Sequence, residues 1–257
     1  MQAPRASVLM AAYAAEATLP EAVASVLAQS VERLELIVAD DRSPQPVAEL
    51  LADVRDPRLR IVRRARNGGT ARARNSALSV ARAPVVCQLD ADDRWEPDYL
   101  EQVLPAFDDP GIGLAYTNAT ILGHPTGHED YVGNASIHPR DRFPELLDAN
   151  PIPCPTVSVR TTAMRAVGGY SGWLRSVEDW NLYLRLAAAG WRFAYVDRQL
   201  AGYRWPEPTR GMSYDTRRLE RWVIAALADL ALRHPRTPGV WAALRARLRG
   251  YREGAGR

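Results

Sequence analysis

The first half of the chain alternates short apolar runs with amphipathic stretches. Residues 7–12 (SVLMAA) form an apolar run of strand length, and Thr18-Leu-Pro-Glu21 then opens a helix with a capping-box pattern and a proline in its first turn. Leu19, Val23, Val26 and Leu27 fall on one face of that helix. A second apolar run, 34–39, ends in Asp40 and Asp41 and a Ser-Pro turn. The pattern next predicts a short helix over 47–54, a third strand over 59–62, and a helix over 70–81 opened by Asn67, Gly68 and Gly69. Residues 85–89 read as a fourth strand, followed at once by Asp90, Asp92 and Asp93. Strand–helix units joined by short turns predict an α/β fold, a mostly parallel sheet with helices on both faces.

The second half is less regular. Residues 119–155 hold several prolines and glycines and read as loop-rich. Glu178 and Asp179 begin a helical stretch (DWNLYLRLAAA) that Gly190 closes, and acidic residues there suit free N–H groups and the helix dipole. Trp180 reads as core, whereas Trp173 is open between core and substrate stacking. Beyond Tyr214, residues 216–233 and 240–252 read as two helices. Trp241, Leu244, Leu248 and Tyr251 share one face of the second, and Arg245, Arg247, Arg249 and Arg252 crowd the rest.

In open α/β sheets ligands bind beyond the carboxyl ends of the strands. Here those ends carry Ala11–Tyr13, Asp40–Asp41 and Asp90–Asp93. Three carboxylates within four residues repel one another unless a cation offsets them. Oxygen ligands at a strand end suit Mg²⁺ or Mn²⁺, which bind through one or two carboxylates plus phosphate oxygens.

Composition removes whole classes of chemistry. All 33 basic residues are arginine, so Schiff-base, P-loop and protein-kinase mechanisms lack their amine. Two cysteines supply neither a zinc cluster nor a disulfide framework; Cys87, in an apolar run, reads as a small core residue of a reducing compartment. His124 and His128 share a Pro- and Gly-containing loop, which does not offer helical zinc geometry. No apolar run approaches the ~18 residues of a membrane span, and the first apolar segment reads as a strand rather than a signal-peptide core. These features predict a cytoplasmic protein. Residues 214–257 hold 10 arginines against 4 acidic residues, whereas 1–213 hold 23 against 26, so the positive charge is concentrated in the last helices. For those helices the options are a cap packed on the α/β body, a homodimer face, or peripheral contact at the inner face of the membrane. The chain lacks a basic strand interleaved with aromatics, and nucleic acid is not an expected partner.

SVLMAAYAAE, SVLAQS, LELIVADDRS, RNGGTARARNSAL and VVCQLDADDRWEPDYL, in that order and spacing, resemble the first half of family 2 glycosyltransferases, and VGGYSGWLRSVEDWNLYLRLAAAGWRFAYV resembles the family's acceptor-side segment. The resemblance implies a GT-A fold: a Rossmann-like mixed, mostly parallel sheet flanked by helices, here with a C-terminal helical extension. It divides the chain into a catalytic domain, 1–213, with a nucleotide-binding half (1–118) and an acceptor-side half (119–213), and a basic extension, 214–257. It implies inverting transfer from a nucleotide-diphospho-sugar of UDP, dTDP or GDP type to a glycan, lipid-linked or small-molecule acceptor, with Mn²⁺ or Mg²⁺. Ala11 and Tyr13 would line the nucleobase pocket and Asp41 would bond the base. Gly68, Arg72 and Arg74 would lie near the nucleotide, Asp90 would face the ribose or sugar, Asp92 would bind the metal, and Asp179 would be the general base. Asp93, Trp173 and Glu178 are secondary candidates. The family's Tyr-Arg-x-His is replaced by GYRWPEPTRGMSYD, leaving Glu207, Asp215, or Asp92 with the diphosphate alone to complete the metal site. The rival readings are a sugar nucleotidyltransferase, whose Gly-rich loop with arginine and lysine is missing; a glycosidase, which needs a second carboxylate as acid; and a noncatalytic basic binding module.

Overall fold

The computed structural model describes residues 2–124, 130–132, 145–205 and 216–254. Among the described residues eight strands make one sheet: β1 (Ala6–Ala12), β2 (Leu34–Asp40), β3 (Leu59–Arg63), β4 (Val85–Gln88), β5 (Arg94–Trp95), β6 (Ile112–Leu122), β7 (Ser158–Arg160) and β8 (Arg192–Arg204). Their order across the sheet is β3-β2-β1-β4-β7-β6-β8-β5. β3, β2, β1 and β4 are parallel, β7 pairs antiparallel with both β4 and β6, and β6 runs parallel to β8. The helices are α1 (Leu19–Leu27), α2 (Val47–Leu50), α3 (Thr70–Val80), α4 (Tyr99–Val103), α5 (Thr161–Ala166), α6 (Glu178–Ala188), α7 (Thr216–Arg233) and α8 (Val240–Gly254).

The continuous apolar character of β1 and β2 follows from burial on both faces. Val8 and Met10 join Leu36 and Val38 in a core with α1 and α4, whereas Leu9 and Ile37 face the opposite core with α3 and α6. That second core continues into the C-terminal helices through Ala226, Leu227, Leu230, Ala231, Val240 and Leu244. A buried polar seam supports it: Asn181 of α6 and Ser171 donate to Asp229 of α7 at 3.1 and 3.4 Å, and Arg185 donates to Asn181 at 2.9 Å.

Some local expectations needed correction. Thr18 makes no side-chain cap for α1; Glu21 instead pairs with Arg94 at 3.0 Å and Arg204 at 2.9 Å, so the capping-box carboxylate ties α1 to β5 and β8. The helix expected over 47–54 closes after one turn, Val47–Leu50. Within the stretch read as loop-rich, β6 extends through residue 122 and a short 3-10 turn spans Cys154–Thr156.

Candidate active site

The first wall of the site is the loop before α3. Asp41, buried just beyond β2, accepts from the backbone N–H of Gly68 at 3.0 Å and of Gly69 at 2.7 Å, and pairs with Arg64. Arg175 donates to the Gly68 carbonyl at 2.8 Å from the other side. A Cβ at Gly68 would meet only the movable Arg64 guanidinium, whereas Gly69 holds φ +84 as it enters α3, which explains the second glycine. Asp41 thus anchors this loop. Its neighbour Asp40 is wholly buried and structural, accepting from Ser43 and Val47 and pairing with Arg63 at 2.8 Å.

The second wall is the turn after β4. Asp92 lies exposed at its tip, Asp93 is buried beneath and accepts from the Arg204 N–H at 2.7 Å, and Arg204 also donates to the Asp92 carbonyl at 2.9 Å. Although the tip of Asp92 is open to solvent, the packed turn around it partly desolvates its carboxyl and, with the Asp90 charge, raises it; burial, then Asp92 and Asp90, raises that of Asp93 well above the ordinary value. The turn is therefore overcrowded with negative charge.

Arg74 answers that charge from α3. It is almost wholly buried, pairs with Asp90 through one terminal nitrogen, and reaches Glu178 at 3.0 Å with the other. Burial works against its charge, but Asp90 and the surrounding groups outweigh it and hold the guanidinium protonated. The Cys154 thiol completes the cluster, donating to Asp90 at 3.3 Å and accepting from Gln88, whose carbonyl in turn accepts from the Tyr170 hydroxyl. Burial pushes that thiol well up, and Asp90 adds to the effect.

The third wall is the start of α6. Val177, directly before it, takes the left-handed conformation with φ 53, a costly choice for a β-branched residue that turns the chain sharply into the helix. Glu178 points inward to Arg74, so its main partner is that guanidinium; burial pushes its carboxyl up to about 7 despite Arg74. Asp179 is half-buried and accepts from Asn150 at 3.4 Å. Burial raises its carboxyl, while the Trp180 amide and Arg74 work against the shift.

Asp90, Arg74, Glu178 and Asp179 come together in one cluster, with Asp92 and Asp93 on the adjoining turn. Tyr13 is 53% exposed and Ala11 half-buried at the end of β1, and Arg72 donates to the Gly172 carbonyl at 2.7 Å beside Trp173, which is 46% exposed. Trp180 is core and donates to the Leu146 carbonyl at 2.8 Å. Glu207, Asp215 and His128 lie outside the described residues. Sequence reasoning missed Arg64, Gln88, Asn150, Cys154, Tyr170, Arg175 and Arg204. A polar Gln88 inside an apolar strand was a usable signal; the arginines, among 33, carried none.

Among the described residues, no group of three His, Cys, Asp or Glu side chains is arranged to hold a metal ion. No described helix is long and apolar enough to cross a membrane.

Residues 7–166 match the model of glycosyl transferase family 2. The chain is 34% identical over 119 residues to the succinoglycan biosynthesis protein ExoO of Rhizobium meliloti (strain 1021), a match covering 46% of this chain and 34% of ExoO. It is 26% identical over 186 residues to an Escherichia coli protein, UDP-Glc:alpha-D-GlcNAc-diphosphoundecaprenol beta-1,3-glucosyltransferase WfaP, covering 72% of this chain and 70% of that one. The chain thus spans about a third of ExoO and about seven-tenths of WfaP. S. aureus TarS 1-349 in complex with UDP-GlcNAc superposes with a TM-score of 0.71 at 19% identity, over 95% of this chain and 72% of that one. The mannosyltransferase PcManGT from Pyrobaculum calidifontis, in complex with GDP-Man and Mn2+, gives 0.68 at 19% identity, over 96% and 69%. These two structures speak for the fold alone: the GT-A arrangement of a mixed, mostly parallel sheet between helices. With the family model covering more than half of its length, the chain belongs to glycosyl transferase family 2.

Proposed function

We propose that this chain transfers a glycosyl group, with inversion, from a nucleotide-diphospho-sugar to an acceptor hydroxyl, with Asp179 as general base. The observation that carries this reading is the Arg74 bridge, which sets Asp90 at the end of β4 and Glu178, next to Asp179, around one guanidinium. A donor-side element and an acceptor-side element then share a single cluster. Asp179 takes the proton from the acceptor hydroxyl, the hydroxyl oxygen bonds to the anomeric carbon, and the electron pair of the breaking C–O bond leaves with the nucleoside diphosphate. One displacement inverts the centre. The loop of Gly68 and Gly69, held by Asp41, and the exposed Tyr13 flank the nucleotide; Trp173 borders the acceptor.

A divalent cation fits at Asp92. The carboxylate is exposed at the tip of a turn crowded by Asp90 and Asp93, and Mg²⁺ or Mn²⁺ needs only one or two carboxylates when phosphate oxygens complete the shell. Bound there, it would neutralise charge on the departing diphosphate. UDP and GDP donors are favoured, since solved relatives of this fold hold UDP-GlcNAc and GDP-Man, and a lipid-linked acceptor is favoured by the name of the E. coli relative. The test is release of nucleoside diphosphate across a panel of nucleotide sugars with Mn²⁺, run beside Asp92→Ala and Asp179→Asn. Both variants are expected to lose turnover by at least about 100-fold; release unchanged in both would overturn the assignment.

A further inference from the structure

The arginines of α8 divide by side. On the inner side Arg247 donates to the Asp148 carbonyl and pairs with Glu220 at 3.3 Å, while Tyr251 lies beneath the guanidinium groups of Arg217 and Arg221 at 5.7 and 5.9 Å. Buried Val240 and Leu244 fix the same side to the core. On the outer side Arg245, Arg249 and Arg252 are exposed, and none makes an ion pair or side-chain hydrogen bond among the described residues. Trp241 stands with them, 41% exposed; its indole N–H is already donated to the Pro235 carbonyl at 3.0 Å, so what it offers outward is apolar ring. At 3.6 residues per turn, Trp241, Arg252, Arg245 and Arg249 fall within about 80° of the helix circumference, in a stripe about 16 Å long.

We propose that this stripe of α8 docks the protein on an anionic phospholipid surface. Three arginines with no partner among the described residues supply the charge complement to lipid phosphates, and an exposed tryptophan beside them suits the headgroup boundary, where an apolar ring and a wet edge are both accommodated. A soluble polyanion would use the arginines and leave the ring without a role. The rest of the molecule orients the contact: residues 1–213 are net acidic, so the same surface repels the body and attracts the helical end. Because the inner side of α8 is fastened independently, docking requires no unfolding. The inference rests on α8 and not on the proposed activity.

The experiment is cosedimentation of the full chain with vesicles of phosphatidylcholine alone or mixed with phosphatidylglycerol. Binding is expected to the mixed vesicles only and to fall as added salt screens the surface. Each arginine near such a surface contributes about fivefold, so Arg245→Gln/Arg249→Gln/Arg252→Gln together should lower partitioning about 100-fold. Trp241→Ser should lower it separately, with circular dichroism and nucleoside diphosphate release from soluble substrates unchanged in both variants. Equal binding to neutral vesicles, full binding by the triple variant, or retention on heparin with no vesicle binding would each overturn the proposal.

Discussion

Arg74 reaches Glu178 at 3.0 Å and pairs with Asp90 through its other terminal nitrogen, joining residues 104 and 16 positions away along the chain. Removing the guanidinium strands two carboxylates in a largely buried place. Arg74→Ala should cost about 3 kcal/mol or more of stability, measured by urea unfolding. Arg74→Lys keeps the charge but not the planar fork, so it can serve one carboxylate at a time. We expect it to unfold nearer to wild type yet turn over at least about tenfold more slowly; wild-type turnover in Arg74→Lys would deny the bridge its positioning role.

The pH profile should carry the imprint of this cluster. Asp179 faces Arg74 from α3, Asp90 from the end of β4, Glu178 on its own helix, and the Cys154, Tyr131 and Tyr183 groups; burial leaves its carboxyl above the ordinary value of 3.8. A base must be ionised to act, so activity is lost as pH falls through that raised value, and the acid limb of kcat/KM should lie above that of a free carboxylate. Asp90→Asn removes the neighbouring negative charge that helps to raise Asp179 and should move the limb to lower pH. A limb that stays in place would show that Asp179 does not set it.

Asp41→Asn tests the glycine loop. The amide can offer one oxygen to the N–H groups of Gly68 and Gly69, but its own N–H₂ opposes them as a second donor. A cost of about 1–3 kcal/mol at that contact corresponds to a donor KM raised roughly 5- to 150-fold, with kcat changed far less. Initial-rate kinetics against donor concentration would read it directly.

Metal removal should act through Asp92. Chelation of the wild-type protein is expected to reduce nucleoside diphosphate release by at least about 100-fold, restored by Mn²⁺ or Mg²⁺. Asp92→Ala should behave like the chelated protein whether or not metal is present. Full activity after exhaustive chelation would remove the cation from the reading.

Leu230 of α7 is wholly buried in the core that also holds Leu182 and Leu184 of α6. Leu230→Ala should therefore destabilise the whole protein by about 2–5 kcal/mol, in one unfolding transition. A separate, early transition would mean that α7 and α8 melt away from the sheet.

The first four strands and their helices were legible because each strand is buried on both faces, which leaves a near-continuous apolar run between polar turns. β6 and β8 were not. Their pairing shifts register at three places between Ile112 and Thr120, β6 buries the polar Thr117 and Asn118 within its run, and β8 is only partly buried along most of its length, so neither shows a clean apolar run or alternation. At the site, the Asp90–Asp93 turn and the Glu178-Asp179 pair stood out as clustered charge. Which arginine served them did not: the choice of Arg74 depends on α3 packing its inner face against β1 and β2, a long-range result that local spacing does not encode. The Arg64 and Arg175 clamps on the Gly68 loop were hidden for the same reason. Val177 was invisible because nothing about a valine announces a left-handed backbone.

That bend at Val177 has a further meaning for α6. A helix that slides by one residue in its packing turns its side chains by about 100° about the axis. Such a slip here would carry Glu178 away from Arg74 and Asp179 away from Asn150. A left-handed valine immediately before Glu178 interrupts the helical backbone at one defined position, so the rotational phase of α6 is locked. The strain at Val177 is the means by which two adjacent carboxylates keep different directions, one toward the Arg74 guanidinium and one toward Asn150.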